Sequence, residues 1–159
     1  MTTLNRPQEI EAYTDAISNI ERLHRSLLDM LKLELDSIGL TEVNNVQALL
    51  LYSIGDDEMT AGELRSRGLY LGSNVSYNLK KLVQAGFIHH ERSELDRRSV
   101  RVRLTVAGQK IRKFVHEMYL RHSVQLRDSG SITPEEIGAA NRTLTSLELF
   151  WQSQLSRRQ

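Results

Sequence analysis

At 159 residues, with 40% hydrophobic content and no cysteine, the chain has room for one domain, or one domain with a dimerisation extension. It has no means of forming disulfides, thiol nucleophiles or cysteine-based metal sites. No run approaches the ~18 apolar residues of a membrane span, and the N-terminal MTTLNRPQEIEAYTDAI carries acids and no apolar stretch of the signal-peptide kind, so a cytoplasmic protein is expected. The net charge of +1 conceals an asymmetry: residues 60–113 hold 12 of the 21 Lys and Arg against four acids, while the rest of the chain holds nine basic residues against 16 acidic ones.

In chain order, residues 8–37 predict one long helix. Ile10, Tyr13, Ile17, Ile20, His24, Leu27, Leu31 and Leu35 recur at spacings of three and four and line one face. Leu23, Leu28 and Met30 widen that stripe beyond what one neighbouring helix covers. Gly39 ends the helix. Thr41 is the expected cap of a second helix running to about Ile54, and GDDE at 55–58 reads as a solvated turn. Thr60, with Glu63 three residues on, opens a third helix as a capping box, and Gly68 stops it.

LYLG at 69–72 reads as a turn, and Ser73 caps a fourth helix, SNVSYNLKKLVQAG. Val75, Leu79, Leu82 and Val83 form its inward face. Ser73, Asn74, Ser76, Tyr77, Lys80, Lys81 and Gln84 are left toward solvent or a partner, and Asn78 faces partly inward. Strand residues Phe87–Arg92, a charged turn SELDRRS and a second strand through Leu104 follow. In that second strand Val100, Val102 and Leu104 alternate with Arg101 and Arg103. Thr105 caps a fifth helix to about Arg127. Thr133-Pro134-Glu135-Glu136 starts a sixth, where Ile137, Ala140, Leu144, Leu147, Trp151 and Leu155 make a continuous three-four stripe.

Helix, turn, helix, then a hairpin is a helix-turn-helix with a wing. The expected fold is therefore mainly α, a winged helix-turn-helix ordered α-α-α-α-β-β-α-α, with the N- and C-terminal helices forming a homodimer interface. The expected divisions are residues 1–40 as a dimerisation helix, 41–108 as the winged module and 109–159 as further dimerisation helices. Concentrated positive charge on such a motif is the expected footprint of a nucleic-acid surface. Asn74, Ser76 and Tyr77 can reach base edges or phosphates from a helix laid in a major groove, and Lys80 and Lys81 can neutralise phosphate. Ser73 serves as a cap and stands where it can also meet phosphate. At the hairpin tip, Asp96, Arg97 and Arg98 sit where arginine would enter a narrow minor groove, with Asp96 accepting from a guanidinium and fixing its direction. A basic hairpin tip on its own is commonly just solvated; the adjoining helix-turn-helix is what gives it this second reading.

The run LDRRSVRVRLTVAGQKI resembles the wing of the MarR family of winged-helix regulators. That wing has an Asp-x-Arg turn, a strand, and Leu-Thr-x-x-Gly opening the next helix, here Asp96, Arg98, Leu104, Thr105 and Gly108. NLKKLVQAGFI resembles the family's exit from the recognition helix through Leu82, Gly86, Phe87 and Ile88. The resemblance implies a homodimer on a pseudo-palindromic double-stranded DNA operator, with the fourth helix in the major groove and Arg98 in the minor groove. It also implies a regulator that often represses and is often released by a small-molecule effector, bound where the first, second and fifth helices meet. Candidate contacts there are His24, Tyr52, His116 and Tyr119, although a histidine on an apolar stripe is more often a packed core residue. Tyr77 departs from the family, many members of which carry Arg or Lys near that position; a tyrosine can meet a thymine methyl or a phosphate instead.

No nucleophile motif, Gly-rich phosphate loop or acid/base cluster points to an enzyme, and neither a metal nor a cofactor is expected. The rival reading is a winged-helix protein-interaction module whose basic face takes an acidic protein partner, since fold does not fix function.

Overall fold

The computed structural model describes residues 6–66, 73–92 and 100–157. Helix α1, Arg6–Ser37, runs as the apolar periodicity requires and ends at Gly39, whose φ of +68° lets the Gly39 and Leu40 N–H groups turn back onto Asp36 and Leu35 carbonyls. The stripe on α1 changes character along its length. Ile10 and Tyr13 are exposed, Ile17, Ile20 and Leu27 are half-buried, and Leu31 and Leu35 are buried.

Helix α2, Asn45–Ile54, starts three residues later than expected. Asn44, not Thr41, is the cap: its side chain accepts the Gln47 N–H at 2.8 Å, and the Gln47 side chain accepts the Asn44 N–H at 3.1 Å. Thr41 has Asn44 three residues on, with neither Glu nor Gln to close a box, so the reciprocal pair wins. The helix is apolar on most sides, with Ala48, Leu49, Leu50, Leu51 and Ile54 buried between α1 and the sheet.

A two-residue strand, β1 (Met59–Thr60), then precedes α3 (Ala61–Ser66), which opens on the expected box between Thr60 and Glu63. No sequence period predicts β1, because two residues carry none; the strand exists only through its pairing with β3. Helix α4, Ser73–Gln84, leads through Gly86 into β2 (Ile88–Arg92), and β3 (Val100–Leu104) returns antiparallel to it. The sheet order is β1-β3-β2, with Ile88 opposite Leu104 and Arg92 opposite Val100. Helix α5, Val106–Ser129, and helix α6, Pro134–Ser156, complete the chain.

The Leu-Thr-x-x-Gly signature has a structural reason. The Thr105 N–H donates to Phe87 O at 3.0 Å, and its hydroxyl donates to Gly86 O at 2.7 Å while accepting the Gly108 N–H at 3.2 Å. The start of α5 is thereby tied to the end of α4. Gly108 lies so close to that junction that a Cβ there would collide with Phe87 O and press on Leu104.

The contacts divide the chain into two units, Met1–His116 and Glu117–Gln159. The first holds the main core, including Leu50, Leu51, Ile54, Leu64, Leu82, Val102 and Val115, all nearly inaccessible. The second consists of the end of α5 and α6, joined across Gly130. Helix α6 begins on the expected Thr133–Glu136 capping box with Pro134 in its first turn, and none of its residues is buried. Hydrogen bonding to the Thr133 backbone and hydroxyl holds the Glu136 carboxyl below its ordinary range. Among the described residues no helix is long and apolar enough to cross a membrane.

Candidate nucleic-acid interface

Helix α4 divides cleanly by chemistry. Val75, Leu79 and Leu82 are buried, and they hold the helix against β2 and the core. The opposite face carries Asn74, Ser76, Tyr77, Lys80 and Lys81, all exposed. Asn74, Tyr77 and Lys81 form one row at spacings of three and four; Ser76, Lys80 and Gln84 form a second. The structure thus brings five of the expected contact residues onto one free surface. The other expected contact on this helix, Ser73, is the first residue of α4.

Tyr77 is 60% exposed, far more than packing would leave a tyrosine, and Lys81 Nζ lies 5.6 Å from its ring centroid. At an exposed site this cation–π contact is worth about 0.5–1 kcal/mol. It holds a positive charge over an aromatic face, so phenol and ammonium are presented together. Asn78 is half-buried: its Nδ2 donates to Asn74 O at 2.9 Å, and its Oδ1 accepts from Gln47 Nε2 on α2 at 3.3 Å. Its inward orientation is as expected.

Beside α4, a groove of about 430 Å³ is lined by Ser76, Leu79, Lys80, Val83 and Gln84 of the helix and by His90 and Val102 of the sheet. Val102 and Leu104 of β3 face inward, and Arg101 and Arg103 face out. Those arginines are not bare charges. Arg101 Nη1 reaches Glu58 Oε1 at 3.0 Å, and Arg103 Nη2 reaches Glu91 Oε1 at 3.6 Å. Asp56 holds Arg112 of α5 at 2.9 Å. The 55–58 segment, expected to be a plain solvated turn, is therefore the acidic counterpart of the strand and of α5. Nothing in the sequence signals these pairs, since 43 residues separate Arg101 from Glu58 and 56 separate Arg112 from Asp56. Each pair is exposed enough to contribute at most about 1 kcal/mol. Asp96, Arg97 and Arg98 lie outside the described residues.

Of the effector candidates, Tyr52 on α2 and His116 on α5 stack, with centroids 6.4 Å apart and planes 18° from parallel. Tyr119 is half-buried one turn further along α5. His24 is exposed on α1, and no described contact joins it to the stacked pair.

Residues 43–108 match the winged helix DNA-binding domain. Among solved structures, FabT of Streptococcus pneumoniae in complex with DNA shares 22% identity at a TM-score of 0.66, covering 89% of this chain and 99% of that one. A mutant MarR from E. coli complexed with operator DNA shares 19% at a TM-score of 0.67, covering 91% and 99%. The exopolysaccharide II synthesis transcriptional activator ExpG of Rhizobium meliloti (strain 1021) is 33% identical over 139 residues, which span 87% of this chain and 71% of that protein. The chain belongs to the MarR family of winged-helix transcription regulators. As a MarR-family protein it is a DNA-binding transcriptional regulator, and the winged module is where the α4 surface and the β2–β3 hairpin stand.

Proposed function

We propose that this MarR-family protein binds a pseudo-palindromic operator as a homodimer, with α4 in the major groove and the wing in the minor groove. The observation that carries the reading is the free face of α4. Asn74, Ser76 and Tyr77 supply short polar and aromatic groups for base edges, and Lys80 and Lys81 stand one turn later for phosphate. Ser73, Asp96, Arg97 and Arg98 are the further contacts of this reading, with Arg98 as the minor-groove residue. FabT and MarR, alike in fold, are both seen with DNA.

Dimerisation is supported by the apolar surface left on the terminal helices: Ile10 and Tyr13 on α1, and Ile137, Leu144, Trp151 and Leu155 on α6. We assign residues 1–40 and 109–159 to the dimer arms and 41–108 to the DNA-binding module. A twofold assembly would present two α4 helices at one helical turn, about 34 Å. The Tyr52–His116 stack supports a site for a flat small-molecule effector.

For the direction of control, the family resemblance favours a ligand-released repressor. The 33%-identical relative, a transcriptional activator, favours activation as the second reading. Selecting duplexes from a random library with the purified protein tests the binding reading. An inverted repeat bound by a particle of twice 18.2 kDa is expected. Enrichment of no duplex would leave the protein-interaction reading in its place. A reporter driven from the recovered site then separates repression from activation.

A further inference from the structure

Helix α2 opens on a capping box, and the Gln47 side chain that closes it has a second role. Its Oε1 accepts the Asn44 N–H at 3.1 Å, while its Nε2 donates to Asn78 Oδ1 on α4 at 3.3 Å. Asn78 Nδ2 donates to Asn74 O, one turn earlier on α4. On the other side of the cap, Asn45 Nδ2 donates to Leu28 O in α1 at 2.8 Å, and its Oδ1 accepts the Val46 N–H at 2.9 Å. Side-chain amides therefore run from the backbone of α1, around the start of α2, to the backbone of α4.

Each amide in this relay has one donor end and one acceptor end. With its oxygen on the cap, Gln47 presents its nitrogen to Asn78, and Asn78, whose oxygen takes that bond, turns its own nitrogen to Asn74 O. Apolar contacts through Val75, Leu79 and Leu82 hold α4 in place but tolerate rotation, because they are non-directional. Hydrogen bonds weaken steeply with angle and are not so tolerant.

We propose that Gln47 and Asn78 are positioning residues for DNA recognition: they set the rotation of α4 about its axis and carry movement of α1 to the face bearing Asn74, Ser76 and Tyr77. This rests on α4 being the helix that meets DNA. It supplies a route within one protomer by which a displaced arm re-aims the contact residues without touching them.

A purely structural role for Gln47 would be capping, and Gln47→Glu separates the two. Glutamate at the third helical position closes a capping box, but it presents only acceptors to Asn78. If Asn78 turns over to donate, its oxygen then opposes Asn74 O, so one bond of the relay is lost either way. Asn78→Ala breaks the relay from the other side without adding charge and leaves the cap intact.

The test uses a duplex enriched from a random library by the wild-type protein, and a scrambled duplex of the same length. Affinities for both, and thermal midpoints, are measured for wild type, Q47E, N78A and K80A. Q47E and N78A should melt near the wild-type temperature, bind the enriched duplex roughly two- to thirtyfold more weakly, and bind the scrambled duplex as before. K80A should weaken both duplexes alike, as loss of a phosphate contact does. Wild-type discrimination by Q47E and N78A alongside a weakened K80A would overturn the relay and leave the α4 reading standing. An equal loss by Q47E and N78A on both duplexes would also overturn it. Failure to enrich any duplex, or wild-type binding by K80A, would remove the α4 reading and the relay with it.

Discussion

The winged module and the terminal helices treat apolar surface in opposite ways. Between Val43 and Leu104 nearly every large aliphatic residue of the described elements is buried, from Val43 and Leu50 to Leu82 and Val102; the large hydrophobic side chain that stays exposed among them is Tyr77. Along α6 no residue is buried, and Leu155 is 65% exposed on a helix whose apolar residues recur with full regularity. The first two turns of α1 behave the same way, with Ile10 at 64%. An apolar stripe without a cover is incomplete, and a helix in water owes most of its stability to covering such a face. The module has an interior of its own, whereas α6 and the first turns of α1 keep their apolar stripes exposed. The free face of α4 is a different kind of exposure: it is polar and needs no cover for stability, and so is available for recognition.

Leu50→Ala, in the module core, should cost about 2–5 kcal/mol in urea denaturation. Leu155→Ala, measured under dilute monomeric conditions, should stay within about 0.5 kcal/mol. Similar costs at the two sites would erase the distinction. Gly108→Ala should cost about 1–3 kcal/mol, because its Cβ would meet the Phe87 carbonyl where α5 is tied to the end of α4. A midpoint unchanged in thermal melts would show that the junction yields freely. Leu144→Glu with Leu155→Glu should leave the module folded by circular dichroism but halve the mass seen in sedimentation. A dimer that survives both charges would place the interface elsewhere.

The smallest effect concerns the start of α6. The Glu136 carboxyl is held below its ordinary range by hydrogen bonds from Thr133, so the charged form is favoured by folding. Its contribution is present above the unfolded carboxylate range and is lost as pH falls through the lowered value. Helix content should therefore drop slightly on acidification. Glu136→Gln, which can still reach the cap N–H but cannot titrate, should flatten that component.

Much of this architecture was legible in the sequence where the determinants are local. The three-four stripes of α1 and α6, the Thr133–Glu136 and Thr60–Glu63 boxes, and the alternation of Val102 and Leu104 with Arg101 and Arg103 all act within a few residues. The polar face of α4 was legible for the same reason. The features that escaped are joined across the chain. Strand β1 exists because Met59 pairs with Val102, and the acidic turn finds Arg101 and Arg112 only in the fold. Asn44 displaced Thr41 as a cap by a local rule that the sequence did contain, since Gln47 stands three residues on. The second bond of Gln47, to Asn78 at a separation of 31 residues, had no such signal.

The most direct test of the central claim is the salt dependence of binding to the selected duplex, compared between the wild-type protein and Lys80→Ala. Each phosphate neutralised adds close to one unit to the slope of log affinity against log salt. If the free face of α4 lies against DNA, the variant should bind more weakly at moderate salt and its slope should be shallower by about one. An unchanged slope at unchanged affinity would contradict the placement of α4 on the duplex.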